Sequence, residues 1–228
     1  MILTTSFNWH KEVEKKWDQN VTFWSEKSRA MWDHGSRSSI VPFIEKHVGK
    51  GSYIGDIGCG DGYGSYKLKE AGYDVIGVDL SPKMVEHANK VCDENLCFKL
   101  GDLASLPFED NTFDALIAIN SIEWTEEPYL ALKELKRVLK PGGLLCVGLL
   151  GPTAGPRQNS FRRLLGESVI CNTMMPWEFE QLALESSWSV IDGQGVYKEG
   201  VKPEHYETLP KQLKQALTFM WLFMFQKE

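Results

Sequence analysis

Two hydrophobic periods alternate through the middle of the chain. Short runs that are almost wholly apolar are followed by stretches with apolar residues every three or four positions, as in buried strands and amphipathic helices. The predicted strands are SYIGDI (52–57), YDVIGVDL (73–80), LCFKLGDL (96–103), FDALIAIN (113–120) and LLCVGLL (144–150). The predicted helices are GSYKLKEAG (64–72), SPKMVEHANKV (81–91) and EPYLALKELKRVL (127–139). This alternation predicts a parallel sheet with helices on both faces.

The flanking regions have other patterns. Residues 8–33 predict a long helix, because tryptophan and valine recur there at helical spacing, at Trp9, Val13, Trp17, Val21 and Trp24. This stripe either packs on the main body or forms a lid. The other predicted elements are a helix at 39–48, an irregular segment at 151–175, a helix at 176–187, a strand at 188–197, a helix at 209–217 and a doubly buried strand at 218–227.

The composition narrows the class of protein and its partners. The chain has 228 residues, of which 43% are hydrophobic and 25% charged, which is typical of a globular domain. Its net charge of −6 disfavours nucleic acid as the main partner, because proteins that bind phosphate backbones are usually basic. The longest apolar run, at 217–225, is too short to span a bilayer, so we expect no membrane partner.

The cysteines and histidines indicate neither disulfides nor a metal. Five cysteines are present, without a C-x-x-C pair, and the five histidines lack paired metal-ligand spacing. The first residues have no signal-peptide core. We therefore expect a reduced, cytoplasmic protein without a metal site.

The segment DIGCGDG (56–62) carries the most chemical information. Glycines at the end of a buried strand are typical of a phosphate-binding turn, but the dinucleotide fingerprint fails because Tyr63 occupies its third glycine position. No Gly-Lys-Ser/Thr follows, which excludes a P-loop. The segment instead carries Asp56 and Asp61, and carboxylates favour a cation over a pyrophosphate.

Three aspartates lie at the ends of the first three predicted strands. Asp56, Asp79 and Asp102 lie at equal intervals of 23 residues, which places all three at one edge of a parallel sheet. Asp79 is positioned to bind two ribose hydroxyls, and Asp102 to accept a hydrogen bond from an exocyclic amine. Asp56 favours an ammonium group beside the loop. Together they predict a ligand that combines adenosine with a positively charged tail.

The sequence resembles the class I S-adenosylmethionine-dependent methyltransferases. The resemblance lies in four segments in order: DIGCGDG (56–62), VIGVDLSPKMVEHA (75–88), GDLASLPFEDNTFDALIA (101–118) and LKELKRVLKPGGLLCV (132–147). It implies an α/β, Rossmann-like sheet of seven strands, mostly parallel with an antiparallel last strand, in a single domain spanning 1–228. The expected parts are a helical lid (1–50), a cofactor-binding core (51–150), a substrate-side insertion (151–175) and a completion of the sheet (176–228).

The resemblance also implies roles for individual residues around S-adenosylmethionine. Gly58, Cys59 and Gly60 approach the methionine portion with their backbone, and Asp56 orients the loop and the ammonium. Asp79 binds the ribose, while Leu80, Asp102 and Leu103 contact adenine. Asn120 and Ser121 lie under the sulfonium. The further expected cofactor contacts are Met84, Gly101, Trp124, Trp24 and Arg37.

The methyl acceptor is less clearly indicated. Nucleic-acid amino methyltransferases have an Asn/Asp-Pro-Pro-aromatic motif after the fourth strand. This chain has NSIEWTEEP there instead, which argues against methylation of a base nitrogen. Glu123 is the candidate base or substrate clamp; alternatively it stabilises the start of the next helix. Trp24, Trp32, Trp124 and Trp177 either wall a substrate pocket or pack in the core. Arg37, Arg157, Arg162 and Arg163 either bind a substrate anion or are solvated.

Three functions are compatible with these patterns. The first is methyl transfer to a small-molecule acceptor, which needs alignment and exclusion of water more than a metal. The second is non-catalytic binding of S-adenosylmethionine or its demethylated product by a partner or regulatory protein. The third, a nicotinamide oxidoreductase, is disfavoured by the missing third glycine. The sequence indicates neither the oligomeric state nor which atom is methylated.

Overall fold

Every predicted strand and helix is present in the computed structural model, which describes residues 7–228. The strands are β1 (Tyr53–Ile57), β2 (Asp74–Asp79), β3 (Leu96–Leu100), β4 (Phe113–Ile119), β5 (Leu139–Leu150), β6 (Trp188–Tyr197) and β7 (Thr218–Lys227). The helices are α1 (Trp9–Asp33), α2 (Ile40–Glu45), α3 (Tyr63–Glu70), α4 (Pro82–Ala88), α5 (Pro128–Val138), α6 (Pro176–Glu185) and α7 (Lys211–Ala216).

Within residues 7–228, seven strands form one sheet in the order β3-β2-β1-β4-β5-β7-β6. Strands β1 to β5 pair in parallel, and β7 is antiparallel to both of its neighbours, β5 and β6. The predicted Rossmann-like fold class is thereby confirmed. The strand order reverses between β1 and β4, and in open α/β sheets the ligand crevice lies at the carboxyl ends of the strands beside this reversal.

Each face of the sheet has its own hydrophobic core. One core joins the sheet to α5 and α6, and the other joins it to α2, α3 and α4. Strand β7 contributes side chains to both cores. Phe223 and Phe225 pack in the first core, whereas Leu222 and Met224 pack in the second. This alternation of side chains across a strand explains why β7 reads as a continuous apolar run and confirms that it is buried on both faces.

Helix α1 crosses the outside of α3 and α4. The Asn8 side chain caps its first turn by accepting from the Lys11 backbone amide. Further along, the Ser28 hydroxyl donates to the Asp61 carboxylate over 2.9 Å, and Asp18 accepts from the Ser81 hydroxyl at the start of α4. These bonds hold α1 against the edge of the sheet that carries the glycine loop.

Two segments differ from the sequence prediction. Strand β5 begins at Leu139 rather than at residue 144, because Leu139 already pairs with Phe113 before an irregularity that contains Pro141 and the two following glycines. The segment 151–175 is not wholly irregular, since it contains a 3-10 helix at Gly155–Leu165. Shorter 3-10 helices occur at Asn89–Val91, Ile122–Trp124 and Pro203–His205.

No helix within residues 7–228 is both long enough and apolar enough to cross a membrane.

Candidate functional site

The glycine loop after β1 approaches the β4 loop closely. Gly58 has a φ of +80°, and a Cβ at this position would lie 2.3 Å from the Cβ of Ser121. Both the left-handed backbone and the missing space therefore require glycine. The amides of Gly58 and Cys59 both donate to the carbonyl of Val78 at the end of β2. The loop is thus tied to two neighbouring strand ends.

Asp79, at the end of β2, fixes this arrangement with its side chain. One carboxylate oxygen accepts from the Gly60 amide over 2.8 Å, and the other accepts from the Ser81 amide over 2.9 Å. Each oxygen keeps a lone pair for another donor. Burial raises the pKa of Asp79, and the two backbone donors oppose this shift by stabilising the ionised form. The Asp79 carboxylate therefore orders the glycine loop and still has lone pairs available to bind a ligand in the cavity.

A cavity of about 190 Å³ lies at this edge of the sheet, under α1. It is larger than an ordinary packing void, and apolar side chains form most of its wall. Fourteen of the sixteen predicted site residues line it. They are Trp24, Arg37, Gly58, Cys59, Gly60, Asp79, Leu80, Met84, Gly101, Asp102, Leu103, Asn120, Ser121 and Trp124.

The other two predicted site residues, Asp56 and Glu123, lie behind the cavity wall. Asp56 is 4% exposed and accepts from the Ser65 hydroxyl over 2.6 Å. Glu123 is 1% exposed; its Oε1 accepts from the Leu150 amide over 2.7 Å, and its Oε2 has no partner among the described residues. Burial raises the pKa of each carboxyl to about 7.

Arg37 is a buried cation in the cavity wall. Its guanidinium lies 4.7 Å from the Trp24 ring centroid, and its Nη2 lies 3.5 Å from Oδ1 of Asn120. Burial lowers its pKa to about 10, while Asp61 and Asp56 oppose this shift, so the side chain stays charged near neutral pH. A guanidinium with most of its five donors unused is suited to a carboxylate ligand.

Helix α1 supplies cavity residues that were not predicted as site residues. Trp9, His10 and Trp17 line the cavity. The indole Nε1 of Trp9 donates to the Trp124 carbonyl over 2.7 Å, and Nδ1 of His10 lies 2.8 Å from the Asp102 carboxylate. The tryptophan spacing predicted a stripe on one side of α1 that packs on the main body or forms a lid, but nothing in the sequence indicated which strand ends it would reach.

The remaining predicted candidates lie elsewhere. Trp32 is 6% exposed and packs in the core that contains α3, so its side chain is structural. The guanidinium of Arg157 donates to the carbonyls of Thr173 and Met174. Arg162 pairs with Glu167, and Arg163 bonds to Ser160. Among residues 7–228, neither these side chains nor Trp177 line the cavity.

Comparison with known proteins agrees with this geometry. The family model described as "Methyltransferase domain" matches residues 55–147, the part of the chain that carries the loop and β1 to β5. The match over these residues supports the predicted resemblance to the class I S-adenosylmethionine-dependent methyltransferases.

Individual relatives have diverse names. The bifunctional biotin biosynthesis protein BioHC of Teredinibacter turnerae is 30% identical over 72% of this chain and 30% of its own length. The 27-O-demethylrifamycin SV methyltransferase of Amycolatopsis mediterranei is 28% identical over 69% of this chain and 62% of its own length. The chain spans less than half the length of several curated relatives that it matches.

Among solved structures, the [4+2]-cyclase SpnF superposes with a TM-score of 0.71 at 19% identity, covering 96% of both chains. At this level of identity the likeness concerns the fold alone.

Proposed function

We propose that this protein transfers a methyl group from S-adenosylmethionine to a small-molecule acceptor. The observation that carries the proposal is the Asp79 carboxylate, held at the cavity wall by the loop amide of Gly60 and by Ser81. A carboxylate there binds a ribose diol and disfavours a phosphate.

The residues present fit this cofactor. Ser121 Oγ is buried without a hydrogen-bond partner among the described residues, and the side chain packs directly against Gly58. A buried hydroxyl without a partner is costly, and a ligand atom would satisfy it. Leu80, Met84 and Leu103 give the adenosine end an apolar wall. Arg37 is suited to the carboxylate of the methionine portion.

The charges favour a sulfonium nucleoside over a phosphorylated coenzyme. Two carboxylates, Asp79 and Asp102, line the cavity, and Asp61 lies close behind it. A pyrophosphate at this rim would meet like charges, whereas the sulfonium and ammonium groups would meet opposite ones. Arg37 is the balancing cation and matches the one negative group of S-adenosylmethionine.

The wall beyond Ser121 indicates the chemistry of the acceptor. We assign the acceptor to the part of the cavity lined by Trp124, Thr125, Leu150, Pro156 and Phe219, whose side chains carry no titratable group. The acceptor we propose is therefore largely apolar. It brings its own nucleophilic lone pair, as a carboxylate, phenolate or neutral amine does, and needs no protein base beside the methyl group.

The proposed reaction is an in-line displacement. A lone pair of the acceptor forms a bond to the methyl carbon while the carbon–sulfur bond breaks and its electrons remain on sulfur as a thioether. The protein aligns the two groups and excludes water, and alignment alone corresponds to an effective molarity of ~10⁵ M or more.

Glu123 is better suited to a positioning role than to proton transfer. Its side chain bonds to the Leu150 amide, and its carbonyl accepts from the Asn172 amide over 2.6 Å, so it links the β4 loop to β5 and to the 151–175 segment. The prediction that it is a base stays open. A base requires Glu123→Gln to lose turnover at every pH, whereas a positioning role predicts a higher KM for the acceptor with kcat retained.

The second candidate is a protein that binds S-adenosylmethionine or its demethylated product without transferring the methyl group. This candidate is kept because a shared fold does not by itself establish methyl transfer; a chain named as a [4+2]-cyclase superposes on this one over 96% of its length. The reduced cytoplasmic setting predicted from the cysteines, which are all free, remains part of the proposal.

Methyl turnover distinguishes these candidates. The purified protein is incubated with methyl-labelled S-adenosylmethionine and a fractionated pool of metabolites, alongside Asp79→Ala as the cofactor-binding control. We expect label to enter one apolar fraction with the wild type and to fall sharply with the variant. Tight cofactor binding without any labelled product across the pool would favour the non-catalytic candidate.

A further inference from the structure

Two exposed cysteines lie at the amino end of β3, the strand at one edge of the sheet. Cys92 directly follows the 3-10 helix Asn89–Val91, and Cys97 is the second residue of β3. At its other end β3 leads to Gly101 and Asp102, which line the main cavity. The methyl-transfer proposal therefore assigns no role to these two thiols. The other three cysteines of the chain are buried: Cys59, Cys146 and Cys171.

A tight turn places the two exposed cysteines opposite each other. The amide of Asp93 donates to the carbonyl of Leu96 over 2.9 Å, and the amide of Leu96 donates to the carbonyl of Asp93 over 3.4 Å. These two residues are therefore a hydrogen-bonded antiparallel pair, and Cys92 and Cys97 are the next residues outward on either side. In antiparallel strands the pair beside a hydrogen-bonded pair has Cα atoms about 4.5 Å apart, and a disulfide joins Cα atoms about 4.4–6.8 Å apart. The register of the turn therefore suits a disulfide.

The backbone and the surroundings of Cys92 support this placement. Its φ of −63° and ψ of 142° are extended, so the residue leaves the 3-10 helix and runs beside β3. Partial burial raises the pKa of its thiol, the backbone amide of Phe98 lowers this pKa as a hydrogen-bond donor, and Cys97 raises it as a neighbouring group. Because Phe98 follows Cys97 in β3, both influences place the thiol beside the start of the strand.

One existing contact has to break before the two sulfur atoms can join. The Cys92 thiol donates to Oδ1 of Asn89 over 2.9 Å. A thiol is a weak donor, and the Asn89 side chain is exposed, so water can replace this contact. Rotation about the Cα–Cβ bond of Cys92 then releases the sulfur atom while the hydrogen bonds of the turn remain.

We infer that Cys92 and Cys97 are a dithiol that low-molecular-weight disulfides oxidise reversibly to an intramolecular disulfide. Both cysteines are exposed, so a small disulfide reaches either one, and the facing cysteine is in position to complete the exchange. In a reduced compartment such pairs are usually transient or redox-sensing. The inference does not depend on methyl transfer, because neither cysteine lines the main cavity.

The exchange proceeds in two steps. The thiolate of one cysteine attacks a sulfur atom of the small disulfide, which forms a mixed disulfide and releases one small thiolate. The thiolate of the facing cysteine then attacks the protein sulfur of the mixed disulfide, and a second small thiolate leaves. Two protein thiols are oxidised and one small disulfide is reduced to two thiols, which take up the two protons that the cysteines lose.

Mass spectrometry of the full chain tests this inference with oxidised glutathione as the probe. The protein is incubated under nitrogen with a chelator, so that oxygen and metal ions do not oxidise the thiols, and free thiols are then alkylated in acid-quenched samples. Trypsin cuts after Lys90 and Lys99, so both cysteines stay in the peptide 91–99. A bridge is detected as a peptide that lacks two hydrogen atoms and takes up alkylating reagent only after reduction.

We expect the bridged peptide to accumulate in the wild type and to disappear when reduced glutathione is added. Cys92→Ser and Cys97→Ser each remove the attacking thiol of the second step, so each should stop at a mixed disulfide with glutathione on the remaining cysteine. No reaction of the wild type would overturn the inference. A wild type that carries glutathione on these cysteines without forming the bridge would also overturn it.

The matched control shifts the register of the pair. Cys97→Ser combined with Lys99→Cys keeps two exposed thiols but moves one of them two residues along the same face of β3. The Cα atoms then take a diagonal spacing of about 7–8 Å, which is longer than a disulfide usually joins. We expect an equilibrium constant for bridge formation lower than the wild-type value by a factor of about ten or more. Equal constants would show that the facing register has no effect, and they would contradict the inference.

Discussion

Asp79 does two things with one carboxylate. It holds the glycine loop through the Gly60 amide, and it presents its remaining lone pairs to the cavity. Because both roles need the same ionised group, a change at Asp79 alters loop order and ligand contact together. A test of the ribose contact therefore has to separate the two effects.

We expect Asp79→Ala to weaken binding of S-adenosylhomocysteine by about 1–3 kcal/mol, or roughly fivefold to a hundredfold, through loss of charge-assisted hydrogen bonds. Calorimetry with the parent ligand and with its 2′,3′-dideoxy analogue measures the separate effects. If Asp79 binds the diol, the analogue loses much less affinity on substitution than the parent does. Equal losses for both ligands would assign the whole effect to loop order.

The buried carboxyl of Glu123 should make the free energy of unfolding depend on pH. Burial raises its pKa from 4.5 to about 7, so the folded protein binds a proton there that the unfolded chain releases. The contribution of the protonated Glu123 carboxyl to the free energy of unfolding is complete below about pH 4.5 and is lost as the pH rises to about 7. Relative to Glu123→Gln, we expect the wild type to lose ~1–3 kcal/mol of unfolding free energy across this interval.

Urea unfolding at several pH values measures this difference. Glu126→Gln is the matched control, because it removes the same charge from an exposed position on the same loop. A flat profile for Glu123→Gln would contradict the buried, proton-binding carboxyl.

At the residue scale, strand ends were more predictable than turns. Asp79 and Asp102 followed from apolar runs whose ends the sequence marks clearly. Glu123 was harder, because it lies in the 3-10 turn Ile122–Trp124. Three residues per turn bring Ser121 and Trp124 to the same side, toward the cavity, and direct Glu123 to the Leu150 amide.

Among the elements, α1 is the one that closes the cavity. Its first turn reaches two loops at once, with Trp9 bonded to the Trp124 carbonyl and His10 beside Asp102. Its later turns are held by Ser28 and Asp61. Release of the first turn alone would open the cavity while the rest of the helix stays attached, so we propose that ligand exchange proceeds at this end.

Trp9→Phe tests this proposal, because it removes one hydrogen bond and keeps a ring in place. Such a bond contributes about 0.5–1.5 kcal/mol, so we expect cofactor release to accelerate roughly twofold to tenfold. Hydrogen exchange in the first half of α1 should rise in parallel. Phe23→Leu, on the exposed side of the same helix, is the control. Unchanged release in Trp9→Phe would show that the cofactor leaves by another path.

The elements themselves were predictable, but their contacts across the sheet were not. Periodicity located each strand and helix within a few residues, because each one buries a distinct face. Phe219 reaches the cavity only because β7 inserts antiparallel between β5 and β6, so that its first residues lie beside the ends of the parallel strands. The local sequence of β7 does not indicate that its neighbours in the sheet are β5 and β6.

At the scale of the whole molecule, charge distinguishes this protein from other proteins with glycine loops at a strand end. The loop geometry alone would suit a phosphate, whereas the carboxylates at the carboxyl edge of β2 and β3 suit a cation. The positions of β1 to β5 along the chain and this acidic edge both followed from the sequence, since each depends on short apolar runs and the residues at their ends. The contacts of Trp9 and Trp17 of α1 with the cavity join segments that are distant in sequence, and they required the structure.

The most direct test is calorimetric titration of the purified protein with S-adenosylmethionine, S-adenosylhomocysteine and NADH under identical conditions. We expect both sulfur nucleosides to bind with one-to-one stoichiometry and to compete with each other, and NADH neither to bind nor to displace them. Binding of NADH at this site, with no heat from either sulfur nucleoside, would contradict the assignment of the acidic edge to a sulfonium cofactor.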